Sequence, residues 1–216
     1  RREKFICLLG VLMKVIKKAV SEELSNFLTH YIRNYKKTIA YMMHEQFISH
    51  DFKDLGTWKD QQVPQTFSHY SNHAMETLME QLTPVVEKAT GKELYEVFSY
   101  VRAYKTGDIL EPHKDRDGCD VAVTIHLGGD PWSIFIEYDE VILEQGDLLI
   151  YDGTNEVHYR DRFEGKDCIQ CMLMYSEDLA EKYDGRKHLG LPSYFNKRDV
   201  KDDYKVEGAD SDTKKD

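Results

Sequence analysis

The chain has 216 residues, enough for one substantial domain with a full hydrophobic core and cramped for two. Its 41% hydrophobic and 31% charged residues, with a mean hydropathy of −0.60, exclude a membrane-embedded or low-complexity protein. A net charge of −10 offers phosphate backbones no global attraction, so nucleic acid is not an expected partner.

In chain order, the opening "RREKFICLLGVLMKVIKK" places a basic lead before an apolar run from Phe5 to Met13. The run is too short to span a bilayer, and no small-residue cleavage site follows it. It reads as a strand or extended leader, with Met13 as a candidate natural start. Ser21 then suits the N-cap of an amphipathic helix in which Leu24, Phe27, Leu28, Tyr31, Ile32 and Tyr35 recur at helical spacing. The Lys36–Lys37 pair suits its C-terminus. Residues 44–68 have no clear period and contain Gly56 and Pro64, which predicts a loop over one face.

A second helix is predicted over roughly 70–90, with Met75, Leu78, Met79, Leu82, Val85, Val86 and Ala89 inward. Gly91 is its stop, and Pro84 is a position where it can bend. His69 and His73 stand four apart near its start, but Tyr70 follows His69, so the pair lacks the HExxH pattern of a zinc helix.

From residue 94 the period changes to two. "ELYEVFSYVRAY", "DVAVTIHLGG", "WSIFIEY", "EVILEQGDLLIYDG" and "CIQCMLMY" read as short strands separated by Gly-containing turns. Strands after two helices predict an α+β fold, a β-sandwich or open barrel with helices packed on one side. Residues 1–196 are read as a single domain, with a helical front over about 13–92 and a β core over about 94–176. The highly charged stretch 197–216 reads as a disordered tail.

The four cysteines, Cys7, Cys119, Cys168 and Cys171, do not form the dense framework of a small secreted domain, which favours a reducing, cytoplasmic setting. Cys168 and Cys171 form a CxxC within a predicted strand, where positions three apart face opposite sides. They read as packed thiols.

The chemistry concentrates at "EPHKDRDGCDVAVTIHLGG". In a strand, His113 and Asp115 point to one side and can aim at one point. His158, after the strand and turn of "GDLLIYDGTNEVH", is the best third ligand. Two imidazoles and a carboxylate on one face of an octahedron make the ligand set of non-haem Fe(II) oxygenases, although the same set with an open position also describes hydrolytic zinc.

The surrounding text, "YVRAYKTGDILEPHKDRDGCDVAVTIHLGGDPWSIFIE", "GDLLIYDGTNEVHYRDRFEG" and "IQCMLMY", resembles the 2-oxoglutarate/Fe(II)-dependent dioxygenases, and most closely their prolyl-4-hydroxylase-like branch with its small bacterial and viral members. The likeness runs from about residue 97 to 175. It implies a double-stranded β-helix, or jelly roll, with supporting N-terminal helices. It also implies Fe(II) held by His113, Asp115 and His158, with 2-oxoglutarate and O2 as cosubstrates and ascorbate as a candidate accessory reductant. The implied reaction hydroxylates an amino-acid side chain, peptidyl or free, and releases succinate and CO2. Because Asp115 fills the third protein position, no place is left for a halide, and hydroxylation is favoured over halogenation. Another small-molecule substrate, or a metal-binding barrel without turnover, are the alternatives; no membrane partner is expected.

The family usually places Arg or Lys on the strand after the distal histidine, to pair with the far carboxylate of 2-oxoglutarate. Here those positions are Asp167, Cys168 and Ile169, a departure that leaves the anchor open. Arg160 of "HYR" is the first candidate, Lys166 the second, and Arg102 on an earlier strand could also reach inward; a planar guanidinium suits a carboxylate better than an ammonium. Tyr104 aligns with a tyrosine that hydrogen-bonds the cosubstrate in many relatives. Arg116 points away from the ligands if its strand is regular. His126 reads as packing or polar lining, and Trp132 as a cap on the core. Loop 44–68 and the segment near 185–196 are expected to select the substrate.

Overall fold

The computed structural model describes residues 13–193; the expectations for the leader before Met13 and for the 197–216 tail lie outside the described residues. Ser21 caps α1 (Glu22–His44), its hydroxyl accepting from the Leu24 amide at 3.3 Å. The helix does not stop at Lys36–Lys37. Its buried stripe continues through Ile39 and Met43 at helical spacing, and this burial outweighs the basic pair as a stop. Asn72 caps α2 (His73–Thr90), which continues through Pro84 and ends at Gly91, a left-handed residue with φ 73°.

Among the described residues there are ten strands: β1 (Lys14–Ile16), β2 (Phe67–Tyr70), β3 (Tyr95–Lys105), β4 (Leu110–His113), β5 (Val121–Gly129), β6 (Ile134–Ile136), β7 (Asp139–Val141), β8 (Leu148–Tyr151), β9 (His158–Arg160) and β10 (Asp167–Ser176). They form two antiparallel sheets, a six-stranded one in the order β1-β8-β5-β10-β3-β2 and a four-stranded one in the order β4-β9-β6-β7. Residues 44–66 are mostly loop, as expected, but β2 adds an edge strand that pairs with β3.

Val121 to Gly128 of β5 are buried without interruption, because this strand is covered on both sides. Val121, Val123, Ile125 and Leu127 join a core with α1 and α2, including Ile32, Ile39, Met75, Met79 and Val86. On the other face, Ala122 packs with Leu149, Tyr151, Met174, Ile134 and Ile136, which joins the large sheet to the small one. A third cluster of Tyr104, Leu110, Trp132, Phe163, Cys168 and Val63 closes one end of this inter-sheet space. The two faces of the CxxC separate as strand geometry requires. Cys168 lies in the end cluster and Cys171 in the helix-side core, both buried, and burial raises the Cys168 thiol to about 11.

The C-terminal stretch doubles back over the sheet edge through an irregular 3-10 segment, Leu179–Gly185. Arg186 pins it. Its guanidinium meets Glu76 of α2 at 3.0 Å and donates to the Val97 carbonyl at 2.8 Å, and the side chains of this ion pair are 0% and 1% exposed. Among the described residues no helix is long and apolar enough to cross a membrane.

Candidate metal centre and its cavity

Between the two sheets lies a cavity of about 550 Å³ whose wall includes His113, Asp115, His158, Tyr104, Arg102 and Arg160. The sheet register builds the corner that is the candidate metal site. His113 and His158 are direct cross-strand partners on β4 and β9, which brings their ring centroids to 4.2 Å. Asp115 lies past the end of β4 rather than on it, so simple strand alternation does not aim it. Its amide donates to the Gly153 carbonyl at 2.8 Å, and this tie turns its carboxylate back toward the histidines.

The hydrogen bonds settle how each imidazole is presented. His113 Nδ1 donates to the Glu111 carbonyl at 2.8 Å, and His158 Nδ1 to the Glu156 carbonyl at 3.1 Å. A carbonyl can only accept, so the protons sit on Nδ1 and the Nε2 lone pairs face the gap. Those Nε2 atoms stand 3.9 Å and 3.6 Å from Asp115 Oδ1. Both separations are less than twice a metal–ligand bond of about 2.1 Å, and the three ligand atoms all lie within 4.8 Å of one another, the spacing of a candidate single-ion site. Burial, and next the neighbouring His158, hold His113 below its ordinary value, which favours the neutral form that a metal ligand must have.

Asp115 Oδ2 is buried with no hydrogen-bond partner among the described residues. It lies on the Gly153 side while Oδ1 faces the gap; a buried carboxylate is costly, and a cation held by Oδ1 would compensate its charge. The donor set and this buried carboxylate both fit a divalent metal. His113, Asp115 and His158 are the one such cluster among the described residues. His69 takes no part: it is buried, with Nε2 donating to the Asp54 carbonyl and Nδ1 accepting from Asn72.

The three candidate anchors separate clearly. Lys166 is exposed and does not line the cavity. Arg102 is buried and lines it, but is already neutralised: Nε donates to Asp60 Oδ2 at 2.8 Å, a second nitrogen bonds Gln62, and Nη1 reaches the Tyr104 hydroxyl at 3.3 Å. Arg160 is only 2% exposed and shares the face of β9 with His158. Its guanidinium donates to the Trp132 carbonyl at 2.6 Å and lies over the Trp132 ring at 5.1 Å, with no carboxylate paired to it among the described residues. A buried cation facing a cavity without a counter-ion is a ready partner for an anion. Tyr104, 1% exposed, packs edge-on against Trp132 and forms part of the same wall.

Several wall residues carried no signal in the sequence. Tyr151 is buried and meets the His158 ring edge-on at 4.9 Å. Asp60 and Gln62 come from the 44–66 loop, and Asp184, Pro192 and Ser193 from the C-terminal stretch, so both segments expected to face the substrate do line the cavity. Arg116 also lines it, contrary to the outward direction that a regular strand would give, because the chain leaves β4 before reaching it. His126 is buried away from the cavity wall, bonded to Gln170 at 3.1 Å.

No family model matches the chain, and no curated protein does. Solved structures do. A prolyl-4-hydroxylase of Pseudomonas putida superposes with a TM-score of 0.57 at 12% identity, covering 77% of this chain and 93% of the other. The α-ketoglutarate-dependent carbocyclase SnoK of nogalamycin biosynthesis gives 0.56 at 10% identity, covering 77% and 79%. HygX of Streptomyces hygroscopicus, solved with nickel and 2-oxoglutarate bound, gives 0.55 at 12% identity, covering 77% and 83%. The chain has the fold of 2-oxoglutarate-dependent oxygenases. At these identities the likeness is one of fold, and the chemistry has to be argued from the site.

Proposed function

We propose that the chain is an Fe(II)- and 2-oxoglutarate-dependent dioxygenase that hydroxylates an amino-acid side chain, peptidyl and prolyl-like or free. The two facing sheets are read as the double-stranded β-helix of that family. One observation carries the reading: a His-Asp-His cluster in which both Nε2 lone pairs face Asp115 Oδ1 shares a cavity with a buried arginine that has no carboxylate paired to it among the described residues. A metal site alone would be equally consistent with hydrolytic zinc. The unpaired guanidinium is what a chelating dicarboxylate needs and a simple hydrolase does not.

In this reading His113, Asp115 and His158 hold iron, and Arg160 takes the far carboxylate of 2-oxoglutarate. When bound, iron and 2-oxoglutarate supply an oxidative decarboxylation, yielding succinate and CO2, coupled to hydroxylation of the substrate. The chain's own part is positioning and exclusion of water. The Nδ1 bonds to Glu111 and Glu156 lock both imidazoles, Tyr104 offers its hydroxyl beside Arg102, and Trp132, Phe163 and Leu110 keep the anchor end dry. A hydroxylase of another small molecule is the second reading, supported by the superposition of SnoK and HygX, which is nearly as good as that of the prolyl hydroxylase. Metal analysis after anaerobic reconstitution tests the proposal: one iron per chain is expected, lost in His113→Ala, Asp115→Ala and His158→Ala, whereas full iron stoichiometry retained by all three variants would refute it.

A further inference from the structure

The cavity mouth holds a charge pair that the metal and cosubstrate do not use. Arg116, the residue after Asp115, places its Nη2 at 2.5 Å from Asp184 Oδ1 and its guanidinium carbon 5.2 Å from the centre of the Phe98 ring. Phe98 stacks on Tyr70 at 5.1 Å, and the Tyr70 hydroxyl donates to the other oxygen of Asp184 at 2.5 Å. Arg116, Asp184, Phe98 and Tyr70 all line the catalytic cavity. Together, a carboxylate and an aromatic face form a receptor for a planar cation, and Arg116 is the cation that now occupies it.

The two halves of the pair are not equally fixed. Asp184 sits in a run of three left-handed residues, Tyr183, Asp184 and Gly185, with φ values of 56°, 55° and 70°. Non-glycine residues hold that conformation only where the surroundings enforce it. The enforcement is the next residue, Arg186, whose ion pair with Glu76 is fully buried. Arg116 has no comparable restraint. Its side chain is 46% exposed, against 20% for Asp184, and its other contacts are the Asp117 carbonyl at 3.2 Å and Glu181 at 3.9 Å. Arg116 can therefore swing into solvent at small cost, while Asp184 stays aimed at the cavity.

We propose that Asp184 and the face of Phe98 form a substrate subsite for a guanidinium group, which Arg116 fills until a substrate of that class displaces it. This deepens the oxygenase reading, on which it rests, by giving the substrate a cationic group of arginine type. Glu181, 40% exposed, would assist from the rim.

The test is calorimetric titration of the full chain, loaded with manganese and 2-oxoglutarate under anaerobic conditions, with Nα-acetyl-arginine methylamide as probe and its isosteric neutral citrulline analogue as control. An exposed ion pair contributes little, so removing the internal competitor in Arg116→Ala should tighten the arginine probe about five-fold without affecting the citrulline one. Arg116→Gln, which keeps the aliphatic stem, should behave alike. Asp184→Asn keeps the Tyr70 contact and should weaken the arginine probe at least ten-fold. Equal binding of the two probes, or an arginine affinity unchanged in Asp184→Asn, overturns the proposal. Manganese and 2-oxoglutarate affinities in the same titrations report separately on the oxygenase reading. If those fail while the arginine preference stands, the subsite survives and the cosubstrate assignment does not.

Discussion

Gly153 and Asp115 are fitted to each other. The Gly153 carbonyl accepts the Asp115 amide at 2.8 Å, and a Cβ added at Gly153 would collide with Asp115 Oδ2 and with the Ala122 methyl. The carboxylate can face the two histidines because residue 153 has no side chain. Gly153→Ala should therefore push Asp115 out of the cluster and lower metal affinity by about 10–100-fold, the range seen when groups that orient ligands are removed. Circular dichroism should be native-like. Unchanged metal affinity in a folded variant would show that Asp115 has another place to go.

Arg160 and Lys166 should differ sharply. Breaking a buried pair by removing one partner costs about 3–5 kcal/mol, so Arg160→Ala should raise the 2-oxoglutarate requirement by two orders of magnitude or more. Lys166→Ala should leave it unchanged, because that side chain is exposed and off the cavity wall. Arg160→Met should also leave the cosubstrate-free protein as stable as before or more so, since it removes a buried charge that no carboxylate among the described residues neutralises. Titrating 2-oxoglutarate and measuring thermal unfolding on the same samples reads both effects.

Arg102 makes the opposite case. Its counter-ion is Asp60, which also accepts from the Val63 and Gln62 amides and from the Tyr100 hydroxyl at 2.9 Å. Asp60→Asn leaves Arg102 charged and buried, with an expected loss of about 3–5 kcal/mol in chemical denaturation. The loop 51–66 should then become the first proteolytic target, because Asp60 is its tie to β3.

The contrast between these two arginines shows what could be read in the sequence and what could not. The capping Ser21, the stop at Gly91 and the period-two strands after residue 94 are local signals, and they could be read directly. The spacing singled out His113 and Asp115 as a pair, but not for the strand reason: Asp115 lies past the end of β4 and is turned by its bond to the Gly153 carbonyl, a contact 38 residues away that no local signal carries. Arg102 and Arg160 look alike in sequence. They are separated only by a partner 42 residues away from Arg102, brought in by a loop with no period of its own. Gly153 and Asp184 were equally silent, since their roles depend on clearance and backbone conformation. The end of α1 was misplaced because the Lys36–Lys37 pair is a weak local preference, while the burial of Ile39 and Met43 is a tertiary one.

Acid should destabilise the fold through His69. Burial lowers its pKa from 6.5 to about 4, and its bonding, one donor to Asp54 and one acceptor from Asn72, requires the neutral ring. The unfolded chain takes up this proton below about pH 6.5 and the folded one only near 4, so stability falls as pH drops through that window and levels off beneath it. The loss amounts to about 3 kcal/mol. His126 and His113, also lowered chiefly by burial, act in the same direction, so His69→Gln should flatten the pH dependence without abolishing it. Urea midpoints between pH 7 and 4 measure the slope.

Succinate formation from 2-oxoglutarate, measured in the presence of O2 after anaerobic loading with Fe(II), tests the oxygenase assignment most directly. Even without the true substrate, slow uncoupled turnover is expected from the wild-type chain, and none from His158→Ala or with zinc in place of iron. Iron-loaded, folded protein that binds 2-oxoglutarate yet forms no succinate with any arginine-bearing, prolyl or free amino-acid substrate would contradict it, and would leave a metal-binding barrel without turnover as the better account.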